Sequence, residues 1–236
     1  MIDKNDTLNE LETLNGNLNI VSRRFQLSNV DKNDSIEEMC LEKDIDTDFF
    51  LEILKVFSDG DYFPEQQLKS FPMPVILDYL HKTHVFYLKT KLPEIENIMT
   101  SIEKHGSNTD LLSYLKNYFI EFKKELSEHI RQEEGRLFPY IQKLDEAAQN
   151  PSTKEDFVGS FNILEFEANH DDQIEDSIAE LRTFIVRFCN DAQEILPYKM
   201  LLAKLSLLEN DLRVHAIVEN KVLIPKALEL EKELVK

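Results

Sequence analysis

The chain has 236 residues and a formal net charge of −18, with five glycines, eight prolines and two cysteines. That charge argues against nucleic acid or anionic membrane as the main partner, since both select basic surfaces. Cys40 and Cys189 stand in separate segments and make no CxxC, which disfavours a thiolate metal site or a disulfide framework and leaves each as a small buried hydrophobe.

From the N-terminus, Met1 to Asn19 is polar and acidic and does not read as a signal peptide. No later run approaches the roughly 18 apolar residues of a membrane helix, so the expectation is a soluble, cytoplasmic chain. Residues 1 to about 57 carry short helical patterns broken by polar stretches such as Ser28 to Asp34. Ser35 followed by Glu38 has capping-box spacing, and Ile36, Met39 and Cys40 give that helix an apolar face. Turn signals at Ser58-Asp59-Gly60-Asp61 and Phe71-Pro72-Met73-Pro74 place a boundary near residue 70. Beyond it four long helical patterns cover about 74–104, 109–146, 156–191 and 198–232. The breaks between them fall at His105 to Asn108, Gln149 to Ser152 and Asn190 to Pro197. Short connections between long helices predict antiparallel neighbours. The expected fold is therefore all-α: a small helical N-terminal domain over 1–70, then an antiparallel up-down-up-down four-helix bundle over 71–236.

An internal repeat organises the second part. An offset of 86 residues lays the first helix (Leu77, Leu80, His84, Leu88, Leu92, Ile95, Met99, Ile102) on the third (Ile163, Phe166, His170, Ile174, Ile178, Leu181, Ile185, Phe188). The same offset lays the second (Leu115, Phe119, Phe122, Leu126, His129, Glu133, Leu137, Pro139) on the fourth (Leu201, Leu205, Leu208, Leu212, His215, Glu219, Leu223, Pro225). Steps of three or four residues mark one face of a helix. On that face only histidine and glutamate interrupt the apolar positions. A lone histidine there is more often a satisfied core residue than a ligand. Here the offset carries His84 to His170, His129 to His215 and Glu133 to Glu219, a register that independent core histidines have no reason to keep.

Burying two carboxylates in one core costs several kcal/mol each unless something compensates, and a metal compensates. Imidazole and carboxylate suit iron, manganese or zinc; copper(I) and clusters want sulfur. Six ligands exceed the needs of one tetrahedral ion, and a shared glutamate on a pair of ions is a common catalytic arrangement. Four histidines and two carboxylates also leave coordination positions for a bridging oxygen and for a small ligand such as dioxygen or nitric oxide.

These residues resemble the hemerythrin-like, cation-binding HHE domains, and in particular the repair-of-iron-centres family, over roughly residues 72–232. His129-Ile130-Arg131-Gln132-Glu133-Glu134 through Leu137-Phe138-Pro139 resembles that family's second-helix motif, and Asn169-His170-Asp171 its third. His215-Ala216-Ile217-Val218-Glu219-Asn220 through Ile224-Pro225-Lys226-Ala227-Leu228 resembles the fourth, and Leu92-Pro93-Glu94 with His105-Gly106 the first helix and its loop. The resemblance implies two non-haem, carboxylate-bridged iron ions held by His84, His129, Glu133, His170, His215 and Glu219. Family members place the first-helix ligand seven residues before the Leu-Pro, where this chain has Val85. The repeat favours His84 instead, with His81 one turn earlier as the fallback. Many members have Glu before the third-helix histidine, where this chain has Asn169. Arg24-Phe25-Gln26-Leu27 and Ser35 to Cys40 resemble the family's leading domain, whose cysteine pair is replaced by Val30-Asp31.

The implied function is repair of, or iron supply to, iron–sulfur clusters under nitrosative or oxidative stress. The partners expected are a small gaseous ligand, damaged iron–sulfur proteins and a second copy in a homodimer, with neither nucleic acid nor membrane. The alternative is a module that binds or senses dioxygen or nitric oxide without turnover. Missing cysteines move weight toward that alternative. Four histidines move it back, because oxygen-carrying hemerythrins typically have five. Tyr87, Tyr114, Tyr118 and Tyr140 read as packing, and the acidic runs near Glu165–Glu180 and Glu229–Glu233 as solvated faces.

Overall fold

The computed structural model of the chain describes residues 2–104, 109–150, 157–170, 174–188 and 196–235. Among the described residues there are helices and turns but no strand; Thr7 and Ser35 form an isolated antiparallel bridge. The all-helical expectation holds. The chain divides into two compact units, one of Met1–Thr83 with Val218–Lys226, the other of His84–Ile217 with Ala227–Lys236.

In the first unit, α1 (Leu8–Leu14) and α3 (Ile36–Glu42) each start on a reciprocal capping box. Ser35 Oγ accepts from the Glu38 backbone N–H at 3.2 Å while Glu38 accepts from the Ser35 N–H at 3.1 Å, as the spacing predicts. The expected apolar face of α3 is buried, Cys40 included. Burial pushes the Cys40 thiol up to about 12, against a lowering hydrogen bond to Thr47, so it behaves as an inert hydrophobe. Cys189 lies outside the described residues. Helix α4 (Thr47–Ser58), capped by Asp46, buries Phe50, Ile53 and Leu54 completely.

Helix α2 (Asn19–Arg24) delivers a cation into this core. Arg24 is 1% exposed; its Nη1 donates to Tyr79 Oη at 2.9 Å. The guanidinium lies over the rings of Phe57 at 5.2 Å and Tyr79 at 5.1 Å. Its long stem fills volume as its head binds, so truncation leaves a cavity and deprives a phenol of its donor. Arg24→Ala is expected to cost about 2–5 kcal/mol, the range for emptying a core site of this size. A urea midpoint that does not move would refute that anchoring role. Later in the same unit, Lys226 Nζ donates to the carbonyls of Lys69 at 2.7 Å and Phe71 at 2.8 Å. It thereby closes the C-terminal end of α5 (Glu65–Ser70), where a cation is favoured.

The remaining helices are α6 (Met73–Phe86), α7 (Leu92–Lys104), α8 (Thr109–Gln132), α9 (Phe138–Gln149), α10 (Ile163–His170), α11 (Ile174–Phe188), α12 (Leu196–Val218) and α13 (Ile224–Val235). Among the described residues, three joins between them are π-helical turns: Tyr87–Lys91, Glu133–Leu137 and Glu219–Leu223. In each, the residue after the turn donates its N–H to the carbonyl of the turn's first residue, five positions back. The residue after that donor is a proline: Pro93, Pro139 and Pro225. A proline inside a helix lacks an N–H and its ring crowds the carbonyl four residues back; a wider turn absorbs both defects without ending the helix.

The repeated apolar positions form the core with few exceptions. Leu115, Phe119, Leu201, Leu205, Ile178 and Ile185 are each buried. Leu88, expected inside, is 36% exposed while Tyr87 is fully buried. The π-helical turn that starts at Tyr87 shifts the helical register, so the preceding α6 face continues through Tyr87 rather than Leu88. The third pattern, expected from about 156, becomes helical only at Ile163. Gly159 turns the chain with φ 82, and Asn162 then caps the helix by accepting from the Glu165 N–H at 3.1 Å. The expected breaks at His105 to Asn108 and Pro151-Ser152, and most of Asn190 to Pro197, lie outside the described residues.

Candidate metal centre

Within the second unit, His84 near the end of α6, Glu133 at the head of its π-helical turn and His215 near the end of α12 converge. All three are buried, and each offers a ligand atom within 4.8 Å of the others. His84 Nε2 lies 2.7 Å from His215 Nε2 and 3.1 Å from Glu133 Oε2. The other oxygen, Glu133 Oε1, lies 2.9 Å from Nε2 of His129, one turn earlier on α8. One fully buried carboxylate thus presents its two oxygens to two different imidazoles.

Further groups hold those rings in place. His84 Nδ1 is hydrogen-bonded to Glu134 Oε1 at 2.7 Å, which leaves Nε2 directed at the cluster. Phe138 stacks on His84 at 5.4 Å with an interplanar angle of 7°. Tyr87 lies beside His215, ring centroids 6.0 Å apart, and its Oη donates to the buried Asp211 Oδ1 at 3.3 Å. Burial disfavours charge on His84, but hydrogen bonds to Glu133 and Glu134 outweigh it and raise its affinity for a proton above the ordinary histidine value. A cation would compete with that proton for the same nitrogen.

The donors are imidazole nitrogens and carboxylate oxygens with no sulfur, a set that fits borderline-to-hard divalent ions. Of the six residues named from the repeat, His84, Glu133 and His215 are brought together, with His129 against Glu133. Glu219 belongs to the other compact unit, where it is buried and opens the turn Glu219–Leu223. His170 closes α10; its side chain lies outside the described residues. His81 is exposed, whereas His84 is 1% exposed. Nothing in the residue order marks Glu134 or Asp211 as part of the cluster. Glu134 is hidden beside Glu133, and its counterpart in the repeat is Asn220, so the register that exposes the other positions conceals this one. Asp211, one turn before His215, looks like any helix-surface acid. Tyr87, expected as packing, is that and a hydrogen-bond donor besides.

A paired substitution distinguishes the two first-helix histidines. If His84 is a ligand, His84→Ala is expected to lose about one metal ion per chain, while His81→Ala leaves the count unchanged. Metal analysis giving the reverse would assign the position to His81.

Residues 75–227 match the family described as Hemerythrin HHE cation binding domain. Over 170 residues the chain is 27% identical to the iron-sulfur cluster repair protein YtfE of Escherichia coli O1:K1 / APEC, with 70% of each chain covered. The proteins of the same name from Escherichia coli strain SMS-3-5 / SECEC and from Escherichia fergusonii match to the same extent. A match of that family over well more than half of the sequence, on the helices that carry the histidine and glutamate cluster, places this chain in the hemerythrin HHE cation-binding family.

Proposed function

We propose that the chain is a non-haem di-iron protein that repairs iron–sulfur clusters, or supplies iron to them, under nitrosative or oxidative stress. The observation that carries this reading is Glu133, one buried carboxylate whose two oxygens face His84 at 3.1 Å and His129 at 2.9 Å. A carboxylate so placed suits two ions, each with its own imidazole. The proposed ligands are His84, His129, Glu133, His170, His215 and Glu219, carried by an antiparallel up-down-up-down four-helix bundle over 71–236, with 1–70 as a small leading domain. Glu134 orients His84 and Tyr87 steadies His215. Iron bound there would supply redox change and open positions for a gaseous ligand. The relatives' printed name, iron-sulfur cluster repair protein, supports repair as the use of that centre.

A second reading, reversible binding or sensing of dioxygen or nitric oxide, is favoured by Val30-Asp31 standing where the resembled family has two cysteines. One experiment separates the two. The reduced, iron-loaded protein is expected to restore activity to a purified iron–sulfur enzyme damaged by nitric oxide, and Glu219→Ala is expected to abolish that rescue. Reversible gas uptake with all iron retained and no rescue would establish the second reading instead.

A further inference from the structure

The first unit carries a groove of about 1230 Å³ that has no part in the metal centre. It runs along α1 and is lined by Leu11, Leu14 and Leu18 and by Tyr62 from the segment after α4. Leu11 and Leu18 are buried in the floor; Leu14 is 84% exposed on the rim. A leucine so exposed at the mouth of a groove gains by being covered. The volume exceeds the roughly 300–1,000 Å³ of ordinary small-molecule sites, and points to a length of polypeptide.

Charge selects which polypeptide. Asp6, Glu10 and Asp59 also line the groove. Each is held by neutral donors: the Asp3 N–H on Asp6 at 2.7 Å, the Thr7 N–H and hydroxyl on Glu10 at 3.2 and 3.0 Å, and the Asp61 N–H on Asp59 at 3.1 Å. Such bonds fix the carboxylates in place and leave their charge. Lys55, the cation among the lining residues, is paired with Glu52 at 2.7 Å. A second copy of a chain of net charge −18 would be repelled from this rim, as would an anionic lipid surface.

We propose that this groove is a docking site for an amphipathic segment of a partner protein, apolar along one face and bearing Lys or Arg at its edges. The apolar face covers Leu14 and the floor leucines, and the basic edges meet Asp6, Glu10 and Asp59. The mode is a helix-in-groove contact with electrostatic selection of the partner. It is independent of whether the chain binds iron.

The test uses the full chain and a short fluorescein-labelled amphipathic peptide of Leu and Lys, with fluorescence anisotropy as readout. Two control peptides replace Lys with Glu or scramble the order. Saturable binding of the amphipathic peptide alone is expected, weakening with salt. Leu14→Asp should weaken it by about tenfold or more, the worth of one buried leucine, although it adds another negative charge. The double variant E10Q/D59N should weaken binding and flatten its salt dependence while keeping the capping box and the turn bond that these side chains make. Circular dichroism checks that both variants stay folded; Leu14 is exposed enough to be replaced safely. Equal binding of the scrambled peptide, or binding that Leu14→Asp leaves unchanged or tightens, would mean bulk attraction to an acidic protein and overturn the proposal. Self-association of the chain that Leu14→Asp abolishes, without peptide binding, would overturn it in favour of a second copy.

Discussion

Anaerobic loading with Fe(II) is expected to give close to two iron ions per chain, and Glu133→Ala is expected to leave close to none. The magnitude follows from where this carboxylate stands. Both of its oxygens face imidazole nitrogens, at 2.9 and 3.1 Å, so its removal would take one ligand from each of the two ions proposed there. Even groups that merely orient a ligand are worth about 10- to 100-fold in metal affinity, and a shared direct ligand is worth more. The substitution also removes the carboxylate that faces His84 and His129 at the core of the site. Iron counted after gel filtration is the measurement. A single tightly held ion, unaffected by Glu133→Ala, would end the dinuclear reading.

The second large effect is on stability. Removing iron by chelation is expected to lower the midpoint of thermal unfolding by about 10 °C. By mass action, a ligand present at a thousand times its dissociation constant stabilises the folded state by about 4 kcal/mol. For a chain of this length each kcal/mol moves the midpoint by about 2–4 °C. The shift is downward because His84, Glu133 and His215 are buried together and a bound cation would offset their desolvation. Scanning the iron-loaded and chelated forms by circular dichroism checks this. A midpoint that stays put after verified iron removal would show that the cluster does not converge on metal.

Much of this was legible in the amino-acid order, for a physical reason. A helix that buries one face repeats its apolar residues every three or four positions, so the long helices, their inward residues and the polar interruptions at His84, Glu133 and His215 could be read directly. Ser35 with Glu38 was equally readable, because a capping box is a local contact between near neighbours. What escaped depends on contacts that have no local signature. Arg24 and Tyr79 are 55 residues apart, and nothing near either marks the pair. Leu88 and Tyr87 changed places because a π-helical turn inserts its extra residue without leaving the helix, so a periodicity read at 3.6 residues per turn drifts past it. The mid-helix prolines at 93, 139 and 225 were its trace, visible as motif residues before the wider turns beneath them were seen. Glu134 escaped because two adjacent acids look alike until one of them is seen against His84 Nδ1.

The π-helical turns also bear on the history of the chain. Glu133–Leu137 and Glu219–Leu223 lie at the 86-residue offset that relates the two halves, and each is followed by its proline at the same distance. A π-helical turn accommodates one extra residue in a helix that stays unbroken, as a single inserted codon would require. Two such insertions at matching sites would be separate accidents, each throwing every later side chain onto a new face until compensated. A single insertion followed by duplication of the gene segment needs only one such accident, and both copies would inherit the compensation. Duplication of a helical hairpin that carried two histidines, a glutamate and the widened turn would account for both copies. On the proposed ligand set, such a hairpin alone would carry two of the four histidines and one of the two glutamates, and only two copies joined would hold the whole set.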